Sequence, residues 1–206
     1  MDDVFQKTAA TYEPRGRLDP DGFARHVQFG TYAPPADLAP FVEHTWAIRW
    51  AGVARPYHSD EVMHRPYVDL FFSRQGSGIQ GTFRGRRTYV ASGDGRIVGV
   101  RFRPGGFRPF WDGALTELQD AIGDPRRFSP RADRDFVERL LAQDDRAARA
   151  SLLALVRERA PAPDPQIDLL NAIIEAIEAD EGLRTVAAVA RACERSERWL
   201  QQFFRD

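Results

Sequence analysis

The chain has 206 residues, 43% hydrophobic and 11% aromatic, which is enough to bury the core of one or two domains without metal or disulfide staples. Its one cysteine, Cys193, stands in a helical pattern away from any CxxC or spaced Cys/His set, which excludes a disulfide framework and the common zinc modules. The formal net charge is -1, so any nucleic-acid-binding surface must be local, and no apolar run is long enough to span a membrane.

The opening MDDVFQKTAATYEPRG lacks the basic start and apolar run of a signal peptide, and with the reduced cysteine this points to the cytoplasm. Up to about Arg103, short alternating or apolar runs are divided by Gly, Pro and Asp, as in half-buried strands with turns. Trp46, Ile48 and Trp50 share a face of a first clear strand, and Val68 to Phe72 forms a second. Thr82 to Val90 reads as a hairpin arm, and Ile97 to Arg103 as a strand in which Val98, Val100 and Phe102 alternate with Arg101 and Arg103. A small barrel or sandwich is the expected closure. Pro104-Gly105-Gly106 ends the β-rich part, and everything after it reads as helix.

Phe136, Val137, Leu140 and Leu141 form one helical stripe, and Ala148, Leu152, Leu155 and Val156 another. The run 160–163, APAP, is a stiff break. Asp164 can then cap a new helix with Pro165 at its first position and Ile167, Leu170, Ile174 and Ile177 on its buried side. Gly182 is placed to end that helix in the left-handed conformation.

Residues 183–206 read as helix, turn, helix. Thr185 caps the first helix, whose buried face is Val186, Val189, Ala190 and Cys193, and Ser196 caps the second, which buries Leu200, Phe204 and Phe203. Glu197, Arg198, Gln201, Gln202 and Arg205 are left on the open face. Arg and Gln can make paired hydrogen bonds to guanine and adenine edges in the major groove, although a solvated helical hairpin carries the same pattern.

Three stretches carry a resemblance. VARACERSERWLQQFF (189–204) resembles the first helix-turn-helix of the AraC-type bacterial regulators, with serine, arginine, leucine and phenylalanine in place. GVRFRPGGFRPF (99–110) is similar to the strand-to-helix junction of one group of AraC-type N-terminal domains. YAPP (32–35), with Leu38 and FVEHTW (41–46), is similar to the opening of the same domains. The resemblance implies an α+β protein: a cupin-like β-rich effector or dimerisation domain over 1–103, a helical part over 104–160, and a partial DNA-binding domain over 161–206. It departs from the family at the tight turn, where Glu194 and Arg195 replace glycine and a small apolar residue. Gln202 replaces an arginine, and the chain stops where the family continues into a second helix-turn-helix, so weak DNA binding is expected of it.

Taken as a member of that family, the protein is expected to bind double-stranded promoter DNA through Ser196, Arg198, Gln201, Gln202 and Arg205. An unidentified small-molecule effector would meet Trp46, Trp50, Phe72, Arg101 and Arg103, with Phe71 and Phe102 as further aromatic candidates; a homodimer fits the same reading. Aromatics on alternating strand positions are first of all core, so the core reading of these residues is the stronger. His58 and His64, with Asp60 and Glu61 between them, lack the close HxH pair of metal-holding cupins, and neither a metal nor another cofactor is expected. No Ser/His/Asp set, Gly-rich phosphate loop or spaced carboxylate pair argues for an enzyme. The alternative is an effector-binding or protein-interaction module that does not bind DNA.

Overall fold

The structure is a computed structural model that describes residues 16–62, 66–159 and 164–204. The chain divides into two compact units, residues 1–162 and 163–206.

The first unit is built on one six-stranded antiparallel sheet of order β1-β2-β5-β3-β4-β6. Its strands are β1 (Gln28–Tyr32), β2 (Val42–Val62), β3 (Val68–Ser73), β4 (Gly78–Gln80), β5 (Arg86–Phe102) and β6 (Ile122–Gly123). The two stretches expected as separate strands around residues 82–90 and 97–103 are one strand, β5. It starts only at Arg86 and pairs with β2 from Val62↔Arg86 to Val42↔Phe102. Between Trp50↔Gly95 and Tyr57↔Ala91, β2 uses more residues than β5, and such bulges bend a ribbon and increase its twist. The Pro104 to Gly106 turn ends β5 as expected. A Cβ at Gly106 would lie 2.4 Å from the Phe41 carbonyl oxygen, so only glycine lets the two backbones meet there.

Because side chains alternate across a strand, β2, β3 and β5 each sort their residues onto two faces. Leu70, Phe72, Val98, Val100 and Phe102 are on the core face, all buried. Phe102 meets Phe107 with ring centroids 4.9 Å apart, and Phe110 joins Phe41 and Phe128 at 5.6 Å each. Rings at these separations prefer tilted or offset contacts, and burying each contributes about 2–3 kcal/mol.

The chain after Gly106 is not wholly helical. Residues 122–123 return as β6 to pair with β4. A short helix α1 (Pro20–His26) precedes β1, and α2 (Pro125–Phe128), α3 (Arg134–Ala142) and α4 (Asp145–Arg157) follow β6. Asp124, Asp133 and Asp144 cap these last three by accepting the N–H of Arg126, Phe136 and Ala147 at 2.8, 2.8 and 2.7 Å. The expected stripe of Ala148, Leu152, Leu155 and Val156 is buried, as are Leu140 and Leu141, and Phe136 meets Phe72 at 5.4 Å.

The second unit contains α5 (Pro165–Ala179), α6 (Val186–Ala192) and α7 (Glu197–Phe203). Asp164 caps α5 as expected. The helix stops at Ala179, however, and the Asp180 carboxylate accepts the Gly182 N–H at 2.7 Å, so Gly182 is not the left-handed terminator. The buried centre is Ile173, Val189, Ala190 and Leu200, packed by Leu183, Cys193, Trp199 and Phe203. Three expected core residues are instead exposed: Ile177, Val186 and Phe204. Phe204 follows the last turn of α7, and Trp199 stacks on Phe203 at 4.8 Å to fill the inner side.

Candidate functional site

The sheet face opposite the core is hollow. A cavity of about 690 Å³ is lined by Trp46, Ile48 and Trp50 of β2, Asp69, Phe71 and Ser73 of β3, Gln80 of β4, and Ile97 and Arg101 of β5. The far half of the β2–β5 ribbon lines it too, through Ser59, Glu61, Arg87, Tyr89 and Ala91. Both halves can face one space because of the bend between Trp50 and Tyr57. Gln80 donates from Nε2 to the Tyr89 hydroxyl at 2.9 Å, joining β4 to the far half. Phe23 of α1, Val27 just after it and Arg17 also line the wall.

Two glycines seat the tryptophans. A Cβ at Gly95 would lie 1.9 Å from the Trp50 indole, and one at Gly99 would lie 2.5 Å from that of Trp46. Each ring therefore lies flat on bare backbone of β5. The Trp50 indole N–H donates to the Ser92 carbonyl at 3.1 Å, and that of Trp46 to Asp69 Oδ1 at 3.3 Å.

The charged lining is largely self-paired. Arg101 donates to both oxygens of Asp69, at 3.0 and 2.7 Å, and its guanidinium lies 3.6 Å above the centre of the Tyr67 ring. Tyr67 donates its hydroxyl to Glu61 at 2.9 Å, and Arg17 lies 3.6 Å from the other Glu61 oxygen. Burial pushes the Tyr67 phenol well above its ordinary value. The Tyr89 phenol is pushed up to about 12, by burial first and by the Glu61 charge second. Both remain neutral donors at physiological pH.

A second hollow of the same unit, about 670 Å³, holds Arg25, Arg49, Arg74 and Arg96 beside Asp94. Arg49 and Arg96 both reach Asp145 on the first turn of α4, at 2.5 and 2.7 Å, so this cluster ties helix to sheet.

Of the residues expected to meet an effector, Trp46, Trp50 and Arg101 come together in the large cavity, with Phe71. Phe72 and Phe102 do not. Their strand parity turns them to the core, where both are wholly buried. Arg103 lies one residue past β5, where its N–H donates to the Phe41 carbonyl at 2.8 Å, and it is not among the residues that line the cavity. Sequence reading missed Asp69, Glu61, Arg87 and Tyr89. Arg87, Tyr89 and Ala91 do alternate, but which face they occupy depends on how β5 pairs with β2.

His58 is exposed on β2 and Glu61 turns inward, while Asp60 bonds Thr88 and lies 3.4 Å from Arg86; His64 lies outside the described residues. Among the described residues no three His, Cys, Asp or Glu side chains converge as metal ligands. None of the described helices is long and apolar enough to cross a membrane.

In the second unit, Thr185 Oγ1 accepts the Ala188 N–H and Ser196 Oγ accepts the Trp199 N–H, both at 3.1 Å, which caps α6 and α7 as expected. Between them Glu194 adopts φ 53, the left-handed conformation. Its N–H donates to the Arg191 carbonyl at 3.1 Å and the Arg195 N–H to the Ala190 carbonyl at 2.9 Å, a Schellman turn closed without its usual glycine. Arg198, Gln201 and Gln202 are exposed on α7; Arg205 lies outside the described residues.

The first unit is thus a mixed α+β domain whose antiparallel sheet carries a cavity on one face and a helix-covered core on the other. Residues 30–124, from β1 to the cap of α2, match a family described as Domain of unknown function (DUF6597). No curated protein and no solved structure matches the chain.

Proposed function

We propose that the chain is part of a DNA-binding transcriptional regulator of the AraC type, whose cupin-like first unit senses a small-molecule effector and whose second unit contributes a helix-turn-helix. The observation that carries the reading is the open face of α7. Arg198, Gln201 and Gln202 project from a helix whose start is held by Ser196, behind a closed turn from α6. A second helix presented in this way is suited to major-groove contacts, and Ser196 is suited to a phosphate.

Support also comes from the first unit. Two of the three stretches that resemble AraC-type domains, 32–46 and 99–110, lie within the segment matched by the uncharacterised family. The cavity supplies a place for an effector, which would act by binding two conformational states unequally. No enzymatic role is part of this reading.

The test is fluorescence anisotropy of DNA from immediately upstream of the gene. It is titrated with this chain, and with a version carrying any coding sequence that follows, across a salt series. Tight binding by the longer version with a steep salt slope, lowered by Arg198→Ala, is the expected result. If neither version binds at low salt, the regulator reading fails. The cavity would then favour a second reading, an effector-binding module without DNA binding.

A further inference from the structure

We propose that the cavity of the first unit binds a small aromatic anion, with the ring system against Trp46 and Phe71 and the anionic head at Arg87. Three guanidinium groups line the cavity, and two of them already have an acidic partner. Arg101 is held by Asp69 through two hydrogen bonds, and Arg17 by Glu61 and by Ser59.

Arg87 differs. Its guanidinium lies 4.9 Å above the centre of the Phe83 ring, and its Nη1 is buried with no hydrogen-bond partner among the described residues. Across the ribbon it faces Glu61, whose two oxygens are engaged by Tyr67 and Arg17, and no carboxylate of the described residues lies within salt-bridge distance of Arg87. A buried cationic donor without an acceptor is costly, and an anion entering the cavity would supply the acceptor that the protein does not. A neutral ligand would leave the charge uncompensated, and a cation would be repelled.

The rest of the cavity selects a flat apolar body. The Trp46 and Trp50 indoles are laid flat by Gly99 and Gly95, and Phe71 projects from the same face. Pockets of roughly 300–1,000 Å³ hold ligands of drug size, so this one has room for a two- or three-ring compound. The inference rests on the effector-binding part of the proposed function and is independent of DNA binding.

The test is isothermal titration calorimetry of the full chain with 2-naphthoate and its neutral analogue 2-naphthamide. The naphthoate is expected to bind about ten-fold tighter, the size of one charge-assisted contact. Arg87→Gln should abolish that preference while amide binding remains, and Arg87→Lys should restore part of it. Equal or tighter binding of the amide by the unaltered chain would overturn the proposal, as would the absence of binding by either compound at low-millimolar concentration. DNA anisotropy on the same samples separates the two readings. Naphthoate binding without DNA binding would sink only the regulator, and DNA binding without a naphthoate preference only the anion site.

Discussion

The Asp69–Arg101 pair gives a sharp test of how the cavity wall is built. Both side chains are nearly buried, at 6% and 12% exposure, and the contact is two-pronged. Asp69→Asn keeps the shape and an oxygen for the Trp46 indole N–H, so it removes little besides the charge. Breaking a buried pair from one side costs about 3–5 kcal/mol, because the remaining ion is left uncompensated. With a urea m-value of about 2 kcal/mol/M, a loss of 3 kcal/mol lowers the unfolding midpoint by roughly 1.5 M. The assay is urea unfolding followed by tryptophan fluorescence and far-UV circular dichroism, with the transitions of the two units fitted separately. Replacing both partners, Asp69→Leu with Arg101→Met, should recover most of the loss, since an apolar pair needs no compensation. A cost below about 1 kcal/mol for Asp69→Asn would show that water screens the pair as at a surface, and would refute its placement as a nearly buried pair.

Gly99→Ala puts a methyl 2.5 Å from the Trp46 indole, so the ring must move; we expect a changed near-UV dichroism spectrum and a loss of about 1–3 kcal/mol, and an unchanged spectrum would contradict the flat seating. Glu194→Gly relieves a left-handed residue that costs roughly 1–2 kcal/mol, less the added freedom of the unfolded chain, so the transition of the second unit should shift to higher urea, and a shift to lower urea would count against the Schellman turn. Alkaline stability should follow Tyr67 and Tyr89. Their folded values are raised, so the stabilisation is fully present below pH 10 and is lost as pH rises from there, through about 12 for Tyr89 and further for Tyr67, at roughly 1.4 kcal/mol per pH unit for each phenol. Unfolding free energies measured from pH 8 to 12 check this, and Tyr89→Phe should flatten the slope; an unaltered slope would place Tyr89 in water.

Much of the chain was legible because its signals are local. A cap needs only an oxygen two or three residues before an N–H, so Asp164, Thr185 and Ser196 could be placed from spacing alone, as could the stripe from Ala148 to Val156. The break at Pro104 to Gly106 was equally plain, since proline and paired glycines stop a ladder.

Faces and partners are another matter. Val68 to Phe72 is nearly all apolar, so period two gives no sign that Phe71 turns to the cavity and Phe72 to the core. One residue of register separates an effector contact from a packing contact, and that register comes from pairing with β5, almost thirty positions away. The same pairing sets Arg101 beside Asp69, and the pairing of β5 with β2 sets Gly99 beneath Trp46. The sequence by itself determined where elements start and stop and which short motifs they carry, because those depend on neighbours within a turn or two. Only the tertiary structure decided which side chains share the cavity, and that Arg87 alone of its three arginines is left with no acidic partner among the described residues, because these follow from a bent ribbon whose strands meet across most of the first unit.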